Sequence, residues 1–495
     1  MSKSTGYFGL MVSISGLRGV VGDTLTPETV IKYGNAFARF SNSRTVRRIL
    51  RRRPAKRGAS QVEDPARGNV IGSARKQIVV GRDGRYHGAM LADILSGTLA
   101  ANGCDVIDIG ICPTPTVQLA AEHSDAVGGI AVTASHNPME WNGLKFVNGD
   151  GVFLDAEENK ELWKYAESKP EYASFNSTGM IEHNDFFLRD HVRRVLAIKS
   201  VDVEAIRRRH FKVVVDCVNA GGSVVVPALL NELGCSVIKM NCDGTGRFPR
   251  KPEPIPENLA AVMKRVRIEK ADLGIVVDPD VDRLVLITEK GEPFSEEYTI
   301  AQAVKFIFAK TPVDGRIAVV NLSTTRAVEE IARTLNGKVH RSAVGEINVV
   351  KKMKKVKAVV GGEGSGGVIL PEVHYGRDAL VGIGITLQHL LEFGGTLSEL
   401  KESLPQFEIV KMRIEIGKKN PDKVINAVRR SYSKFEMNTE DGLKIDAPDY
   451  WIHLRKSNTE PIIRVLAEAS SRKEAESRAS EVMKLVQKIV RSEKS

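Results

Sequence analysis

The stretch KVVVDCVNAGGSVVVPALLNELGCSVIKM, residues 212–240, decides the predicted fold. Its β-branched run at 212–219 ends in polar residues, helix-like sequence follows, and a second apolar run occupies 235–240. Strand, loop, helix and strand at this spacing form a βαβ unit, and strands that are apolar throughout indicate a sheet covered on both faces. The stretch therefore predicts an α/β domain.

Two further stretches repeat this order. QIVVGRD at 77–83 precedes a strand-like piece at 104–109, and RIAVVNLS at 316–323 precedes one at 338–344. Three such units form a weak internal repeat. They predict three similar α/β domains, each with a mixed sheet built on a βαβ unit.

The C-terminal part of the chain follows a different order. Residues 449–455 and 462–467 predict strands around a polar turn, and the chain closes on a helix. One face of that helix is apolar and consists of Ala475, Ala479, Val482, Val486 and Ile489. This part predicts an α+β domain. The predicted fold class is thus α/β, with three similar domains and a C-terminal α+β domain around a central cleft, divided as 1–172, 173–292, 293–400 and 401–495.

Positive charge is concentrated in one segment. The 495 residues carry 72 Lys and Arg against 61 Asp and Glu, a formal charge of +11. Residues 44–76 hold eleven basic and two acidic residues, so this segment accounts for +9 and the other 462 residues for only +2. A uniformly basic nucleic-acid-binding surface is therefore disfavoured. The segment is predicted to be a solvated insertion of twenty or more residues.

Hydrophobic runs and cysteine usage also indicate the cellular compartment of the protein. The chain has no apolar run of the ~18 residues that a membrane span requires and no secretory signal at its start. Its five cysteines show neither CxxC pairs nor the density of a disulfide-rich domain. These observations predict a cytoplasmic protein without a membrane partner.

The acidic loop DPDVDR, residues 278–283, is the strongest chemical signal, and it lies between two apolar runs. Three carboxylates at positions i, i+2 and i+4 can turn toward one point, where their charge requires a hard cation such as Mg²⁺. An EF-hand would need glycine at the sixth position, where Arg283 stands. A haloacid-dehalogenase phosphatase would need Thr or Val in place of Asp282. The remaining alternatives are a metal site or an acidic turn without metal.

Ser135 lies in TASHNP, residues 133–138, directly after the apolar run 128–132. No GxSxG motif surrounds this serine, which disfavours a hydrolase triad. If it carried a phosphate, the metal would gain an oxygen ligand and the site a transferable phosphoryl group. The alternative is an ordinary polar turn.

Two further loops suggest ligand contacts. GGEGSGG at 361–367 can cradle a phosphate or let a sugar approach the backbone, although a flexible connector has the same composition. RKSNTEPIIR at 455–464 places two arginines around small hydrogen-bonding residues, as in an anion nest or a solvated turn.

These four loops, in this order, resemble the α-D-phosphohexomutase superfamily. The resemblance extends to SGLRG at 15–19, VGRDGR at 80–85, PTP at 113–115 and FPRKPEPIPENL at 248–259. It implies that Ser135 is a phosphoserine and that the catalytic residues are Ser135, His136, Arg18, Lys145 and Arg283. It implies one Mg²⁺ per chain, bound by Ser135, Asp278, Asp280 and Asp282. It further implies contacts to sugar hydroxyls from Glu363 and Ser365, and a phosphate site formed by Arg455, Ser457, Asn458, Thr459 and Arg464.

The resemblance also implies an activity. Members interconvert a hexose or hexosamine 6-phosphate and its 1-phosphate through the phosphoserine and a hexose 1,6-bisphosphate, which also acts as activator. The stretch GGEGSGGVILPEVHYGRDALVGI at 361–383 resembles phosphoglucosamine mutases, which favours glucosamine 6-phosphate as substrate over glucose or mannose phosphates. Gly367 stands where this loop commonly has a histidine; His374 could substitute for it or lie at the surface.

The expected partner is a phosphosugar, and the expected oligomeric state is a monomer or a homodimer. A hypothesis from another class is a non-catalytic protein on the same scaffold, with residues 44–76 contacting RNA or an acidic partner. That segment lacks the interleaved aromatic residues that stack on bases, which disfavours nucleic acid.

Overall fold

The computed structural model describes residues 9–43, 75–417, 419–456 and 461–492. The predicted insertion 44–76 and its proposed RNA contact therefore lie almost entirely outside the described residues. The strands are β1 (Met11–Ser13), β2 (Gly16–Val20), β3 (Gln77–Arg82), β4 (Asp105–Ile111), β5 (Gly128–Val132), β6 (Trp141–Asn148), β7 (Ile181–His183), β8 (Lys212–Asp216), β9 (Ser236–Met240), β10 (Leu273–Val277), β11 (Leu284–Thr288), β12 (Ile317–Asn321), β13 (Lys338–Ser342), β14 (Val360–Glu363), β15 (Gly367–Ile369), β16 (Glu408–Glu415), β17 (Glu436–Asn438), β18 (Leu443–Asp446), β19 (Tyr450–Lys456) and β20 (Ile462–Ala469).

The helices alternate with these strands over most of the chain. They are α1 (Pro27–Phe40), α2 (Gly88–Ala101), α3 (Thr114–His123), α4 (Ala156–Ala166), α5 (Phe186–Leu196), α6 (Val203–Arg209), α7 (Gly222–Glu232), α8 (Ala260–Glu269), α9 (Glu296–Lys310), α10 (Ala327–Thr334), α11 (Glu346–Val356), α12 (Ala379–Phe393), α13 (Leu397–Glu402), α14 (Pro421–Ser431) and α15 (Arg472–Ser492). None of the helices in the described ranges is long and apolar enough to cross a membrane.

The chain forms two compact units. The first comprises Met1–Ser295 and Gly367–Leu397, and the second comprises Glu296–Gly366 and Ser398–Ser495. The described residues form four sheets, which follow one another in the chain order that the sequence predicted.

The first unit holds two sheets with parallel centres. One has seven strands in the order β1-β2-β6-β5-β3-β4-β7, with β3 parallel to both β4 and β5. The other has the order β11-β10-β8-β9, with β8 parallel to both β9 and β10 and with β11 antiparallel to β10. Helices α2 and α7 connect the parallel pairs β3–β4 and β8–β9. The βαβ units predicted from 77–109 and 212–240 are confirmed.

The second unit contains the third repeat and the C-terminal domain. Strand β12 pairs in parallel with β13 and β14, and α10 connects β12 to β13, which confirms the third βαβ unit. The C-terminal sheet is antiparallel with the order β16-β20-β19-β18-β17. Helix α15 packs on it through fully buried Ala475, Ala479, Val482 and Val486, with Ile489 partly buried beside them. The predicted α+β domain is confirmed.

The first strand of each repeat ends in the same local turn. Asp83 Oδ1 accepts a hydrogen bond from the backbone N–H of Arg85, two residues later. Asp216 Oδ1 accepts the N–H of Val218, and Asn321 Oδ1 accepts the N–H of Ser323. Asp and Asn favour such turns because their short side chains reach the backbone two residues on. The turns stop the strands and orient the loops that follow them.

One predicted loop is partly a strand. Residues 360–363 form β14, because Val360 and the two following glycines pair in parallel with β12. A Cβ at Gly361 would lie 2.4 Å from Met353 Sδ and 2.7 Å from the carbonyl oxygen of Val319. Glycine is required here by close packing rather than by chain flexibility.

Candidate active site

The acidic loop 278–283 connects the antiparallel strands β10 and β11 in the first unit. Both strands are buried along their whole length, so the loop begins and ends at fixed points. Asp278, Asp280 and Asp282 are all buried, and one carboxylate oxygen from each lies within 4.8 Å of the others. The structure thus brings together the three carboxylates that the sequence predicted to converge.

One oxygen of Asp280 and one of Asp282 are fixed by neighbouring groups. Asp280 Oδ2 accepts hydrogen bonds from Thr114 Oγ1 at 2.7 Å and from Lys145 Nζ at 2.6 Å. Asp282 Oδ2 accepts hydrogen bonds from Arg377 Nη2 at 2.6 Å and from Lys145 Nζ at 3.2 Å. These partners hold both carboxylates in a single orientation.

The other oxygen of each of these carboxylates lacks such a partner. Asp280 Oδ1 and Asp282 Oδ1 are buried and accept no hydrogen bond from any described residue. Arg283 Nε lies 3.7 Å from Asp282 Oδ1, too far for a hydrogen bond. Buried anionic oxygens without partners are costly, and carboxylate oxygens are the ligands that Mg²⁺ prefers. The residues present therefore fit a hard cation.

The three carboxyl groups differ in their protonation equilibria. Burial, together with the charges of Asp282 and Asp280, raises the pKa of Asp278 well above its usual value. Burial would also raise the pKa of Asp280, but Lys145 and Thr114 outweigh it and hold that pKa low. Burial likewise opposes ionisation of Asp282, yet Arg377 and Lys145 lower its pKa. The cluster carries enough local positive charge to keep two of its carboxylates ionised.

Ser135 lies on the loop after β5 with a left-handed backbone conformation, at a φ of 49°. Its Oγ donates a hydrogen bond to Asp278 Oδ2 at 3.1 Å and lies 3.2 Å from His136 Nδ1. A non-glycine residue with positive φ is uncommon and persists where surrounding contacts hold it. The structure thus places the predicted nucleophile directly against the predicted metal ligands.

Arg85 holds this serine loop in place. Its Nε donates to Asp83 Oδ2 at 3.0 Å, and Asp83 Oδ2 also accepts the hydroxyl of Thr133 at 2.6 Å. All five of its N–H donors are used. The four remaining hydrogen bonds go to backbone carbonyls of the loop, namely those of Ser135, Asn137, Pro138 and Trp141. The guanidinium is fully buried, so it acts as an internal template for the loop.

Cationic side chains surround Ser135. Arg18 Nη1 donates to Asn137 Oδ1 at 2.9 Å. The charge of Arg283, then burial, then the charge of Arg18 hold the pKa of His136 well below its usual value. His136 is therefore neutral near pH 7, and the position beside it favours an anion.

The predicted sugar-binding residues lie in the second unit. Glu363 is buried at the end of β14, where its Oε1 accepts hydrogen bonds from Asn321 Nδ2 at 2.8 Å and from the N–H of Gly345 at 2.9 Å. The N–H of Gly364 donates to Thr324 Oγ1 at 3.0 Å. Ser365 is half-buried in the turn that follows. The orientation of this turn is therefore set by residues at the end of β12.

The predicted phosphate-binding arginines also lie in the second unit. Arg455 and Arg464 are directly opposite on β19 and β20, and Arg413 on β16 is opposite Arg464. Three arginines thus form a row across neighbouring strands, on one face of the C-terminal sheet. Arg455 Nε lies 2.8 Å from Asp441 Oδ2, which also accepts the N–H of Val344. The predicted residues Ser457, Asn458 and Thr459 lie outside the described residues.

His374 is not at the surface, and that alternative is wrong. It is fully buried, and its Nε2 lies 3.0 Å from Asp378 Oδ2, the same oxygen that His191 Nε2 approaches at 2.7 Å. The side chain is thus committed to a buried contact with Asp378 inside the first unit.

Some residues at the site were not singled out by the sequence analysis. Thr114, Asp83 and Arg85 lie within two motifs that carried the family resemblance, so a signal for them was present. Arg377 lies in the stretch 361–383, but no local pattern links it to Asp282, 95 positions away. Asp441 gave no signal, because only the folded chain brings it to Arg455 and Val344.

Models of protein families match most of the chain. They are described as phosphoglucomutase/phosphomannomutase alpha/beta/alpha domain I at 65–173, domain II at 189–291, domain III at 296–407 and the C-terminal domain at 410–485. The matches follow one another in this order and correspond to the four sheets.

Individual proteins match over nearly their full length. A probable phosphoglucosamine mutase of Methanopyrus kandleri is 35% identical over 98% of this chain and 98% of its own. A phosphoglucomutase/phosphomannomutase of Thermococcus kodakarensis is also 35% identical, over 94% and 96%. The crystal structure of a phosphoglucomutase/phosphomannomutase family protein from Burkholderia thailandensis superposes with a TM-score of 0.79 at 26% identity, over 97% of this chain and 98% of that one. The chain therefore belongs to the phosphoglucomutase/phosphomannomutase family of α-D-phosphohexomutases, which are isomerases that convert sugar phosphates.

Proposed function

We propose that the protein interconverts a hexosamine or hexose 6-phosphate and its 1-phosphate, with glucosamine phosphate as the preferred substrate. The observation that carries this proposal is the position of Ser135. Its hydroxyl contacts Asp278, beside two carboxylate oxygens without hydrogen-bond partners among the described residues, and cations surround it. A phosphoryl group on this oxygen would meet both a metal site and positive charge.

In the reaction, the phosphoryl group leaves Ser135 Oγ and bonds to the free hydroxyl oxygen of the substrate, which gives a 1,6-bisphosphate. The proton of that hydroxyl replaces the phosphoryl group on Ser135 Oγ. Neutral His136, 3.2 Å from this oxygen, would pass the proton. After the bisphosphate turns over, its other phosphoryl group bonds to Ser135 Oγ and the proton returns to the new sugar hydroxyl.

Asp278, Asp280 and Asp282 would hold Mg²⁺, with a phosphoserine oxygen completing the set. The bound ion would offset the charge that develops on the transferred phosphoryl group. Lys145 and Arg377 fix the two carboxylates, while Arg18 and Arg283, whose charges act on neighbouring His136, would contact phosphate oxygens. Positioned cations of this kind are worth most where water is excluded.

The non-reacting phosphate of the sugar would be bound by the arginine row of the C-terminal sheet. Arg455 and Arg464 would bind the non-reacting phosphate together with Ser457, Asn458 and Thr459. Like charges directly opposite each other on a sheet are unfavourable, so an anion on this face would stabilise the arginine row. Glu363 and Ser365 would contact sugar hydroxyls.

The choice of sugar rests on the stretch 361–383 and on the name of the Methanopyrus relative. The Thermococcus relative, equally similar in identity, makes a hexose phosphate the second candidate. We further propose that hexose 1,6-bisphosphate primes the enzyme and that the protein works in the cytoplasm as a monomer or homodimer. The boundaries 1–172, 173–292, 293–400 and 401–495 stay a prediction.

The test is a substrate panel. Purified protein with Mg²⁺ and a trace of hexose 1,6-bisphosphate is given the 6-phosphates of glucosamine, glucose and mannose, and 1-phosphate formation is measured. Ser135→Ala should abolish turnover and the mass increase of one phosphoryl group, whereas the exposed Ser177→Ala should change neither. No interconversion of any sugar phosphate by the unaltered protein would refute the proposal.

A further inference from the structure

Gly367 leaves a space that Arg377 fills. A Cβ built at Gly367 would lie 2.3 Å from Arg377 Cδ, 2.9 Å from its Cγ and 3.3 Å from its Cβ. The backbone of Gly367 is not in the left-handed region, so no positive φ requires glycine at this position. The nearest atoms that a side chain would meet all belong to Arg377, so a larger residue would displace the arginine.

The guanidinium that occupies this space reaches the acidic loop. Arg377 Nη2 donates to Asp282 Oδ2 at 2.6 Å, and the arginine side chain is only 10% exposed. Lys145 Nζ donates to the same oxygen at 3.2 Å, so Asp282 Oδ2 accepts two hydrogen bonds. Asp282 Oδ1 is left without a hydrogen bond from the described residues.

Arg377 starts from a rigid stretch of backbone. The next residue, Asp378, begins α12 by accepting the N–H of Leu380 at 2.8 Å, and two buried histidines contact its other oxygen. The N–H of Ala379 donates to the carbonyl of Val281, inside the acidic loop, at 3.1 Å. The Arg377 side chain and the Ala379 backbone therefore both contact the acidic loop 278–283.

We infer that Arg377 is a positioning residue for the metal site: it occupies Asp282 Oδ2, so that Oδ1 is the oxygen presented to Mg²⁺, and Gly367 makes room for it. This inference rests on the proposed function, because it takes the acidic loop to be a metal site. Hydrogen-bond partners of metal ligands fix ligand orientation, and losing one typically costs about 10–100-fold in metal affinity or activity.

A purely electrostatic role and a positioning role of Arg377 predict opposite effects of Arg377→Gln on cation binding. Removing a positive charge beside a cation site would by itself strengthen cation binding. Losing the partner that orients Asp282 would weaken it. A weaker site in this variant is therefore evidence for positioning, and simple electrostatics cannot produce it.

The probe is Mn²⁺ alone, titrated into the full-length protein and followed by the electron paramagnetic resonance signal of the free ion. No sugar phosphate is present, and intact mass verifies that all samples share one Ser135 phosphorylation state. We expect about 10-fold or more weaker binding in Arg377→Gln. Gly367→Leu, which retains Arg377 but displaces it, should weaken binding similarly.

Two matched variants serve as controls. Arg189→Gln alters an exposed arginine, and Gly97→Leu alters an exposed helical glycine with nothing within 4 Å of its added Cβ. Neither should change Mn²⁺ binding. Arg377→Lys replaces Arg377→Gln if circular dichroism shows that the glutamine variant does not fold; it should also weaken binding, because a lysine lacks the planar fork.

The outcomes separate the inference from the proposed function. Absence of Mn²⁺ binding by the unaltered protein would refute the metal site itself and the inference with it. Unchanged Mn²⁺ affinity in the folded arginine variant and in Gly367→Leu would overturn the inference alone. Unchanged Mn²⁺ affinity with a raised KM for the sugar phosphate would overturn it in favour of a substrate contact.

Discussion

Replacing Arg85 by methionine should loosen the serine loop and destabilise the first unit. The substitution keeps much of the apolar stem but removes five hydrogen bonds, one of which is the ion pair with buried Asp83. Breaking a fully buried pair by removing one partner costs about 3–5 kcal/mol, since the other charge stays behind. Four loop carbonyls would lose their donor as well, so we expect a loss within this range or above it.

Protonation of Asp83 limits the loss of stability in Arg85→Met. Burial raises the pKa of Asp83, and Arg85 offsets part of that rise. Without the arginine, Asp83 would take up a proton more readily, which relieves the unpaired charge. The destabilisation should therefore shrink as pH falls, by at most about 1.4 kcal/mol per pH unit.

Hydrogen exchange of the β5 amides, residues 128–132, measures the effect. Their protection should fall by about two to four orders of magnitude in Arg85→Met. Arg189→Met is the matched control, because Arg189 and Asp185 are both more than 70% exposed. An exposed pair at this helical spacing is worth about 0.3–0.5 kcal/mol. If Arg85→Met lost no more protection than this control, the template role of Arg85 would be wrong.

Three further predictions concern the second unit. Burial raises the pKa of Glu297 to about 8, so the unaltered protein should lose stability as pH rises from 4.5 to 8, by at most about 1.4 kcal/mol per pH unit. In urea unfolding experiments, Glu297→Gln should reduce this dependence of stability on pH, and an equal dependence in both proteins would contradict the prediction. Asp441→Asn keeps an acceptor for the N–H of Val344 but removes the charge that orients Arg455. The KM for the sugar phosphate should therefore rise, while the free energy of unfolding should change by less than about 1 kcal/mol. An unchanged KM would exclude this orienting role. Arg413→Gln removes one of three adjacent like charges and should stabilise the protein by about 0.2–1 kcal/mol in phosphate-free buffer. Added inorganic phosphate should reduce that advantage, and a gain independent of phosphate would argue against an anion on this face.

Local sequence order predicted the elements of the fold well. The strands starting near residues 77, 212 and 317 follow from uninterrupted β-branched runs, whose end is marked by an Asp or Asn. The apolar face of α15 follows from helical spacing alone. Such signals are short-range, so one sequence is enough to show them.

Contacts between residues that are distant in the sequence cannot be predicted from such short-range signals. Asp282 and Arg377 are 95 positions apart, and no local pattern links them. Glycines at 361 and 362 have the composition of a loop, yet close packing against α11 and β12 makes them a strand. Lys145 is placed by β6 between two aspartates, a position that only the neighbouring sheet determines.

The turn shared by the three repeats has a consequence for how one scaffold can serve different tasks. Each βαβ unit has an equivalent strand end, where a carboxyl or amide oxygen accepts a hydrogen bond from the loop that follows. The rest of each side chain has a different partner: Asp83 anchors Arg85 and the serine loop, Asp216 pairs with Arg250, and Asn321 donates to Glu363. Different partners at three equivalent positions can thus supply separate parts of a site while the scaffold stays the same.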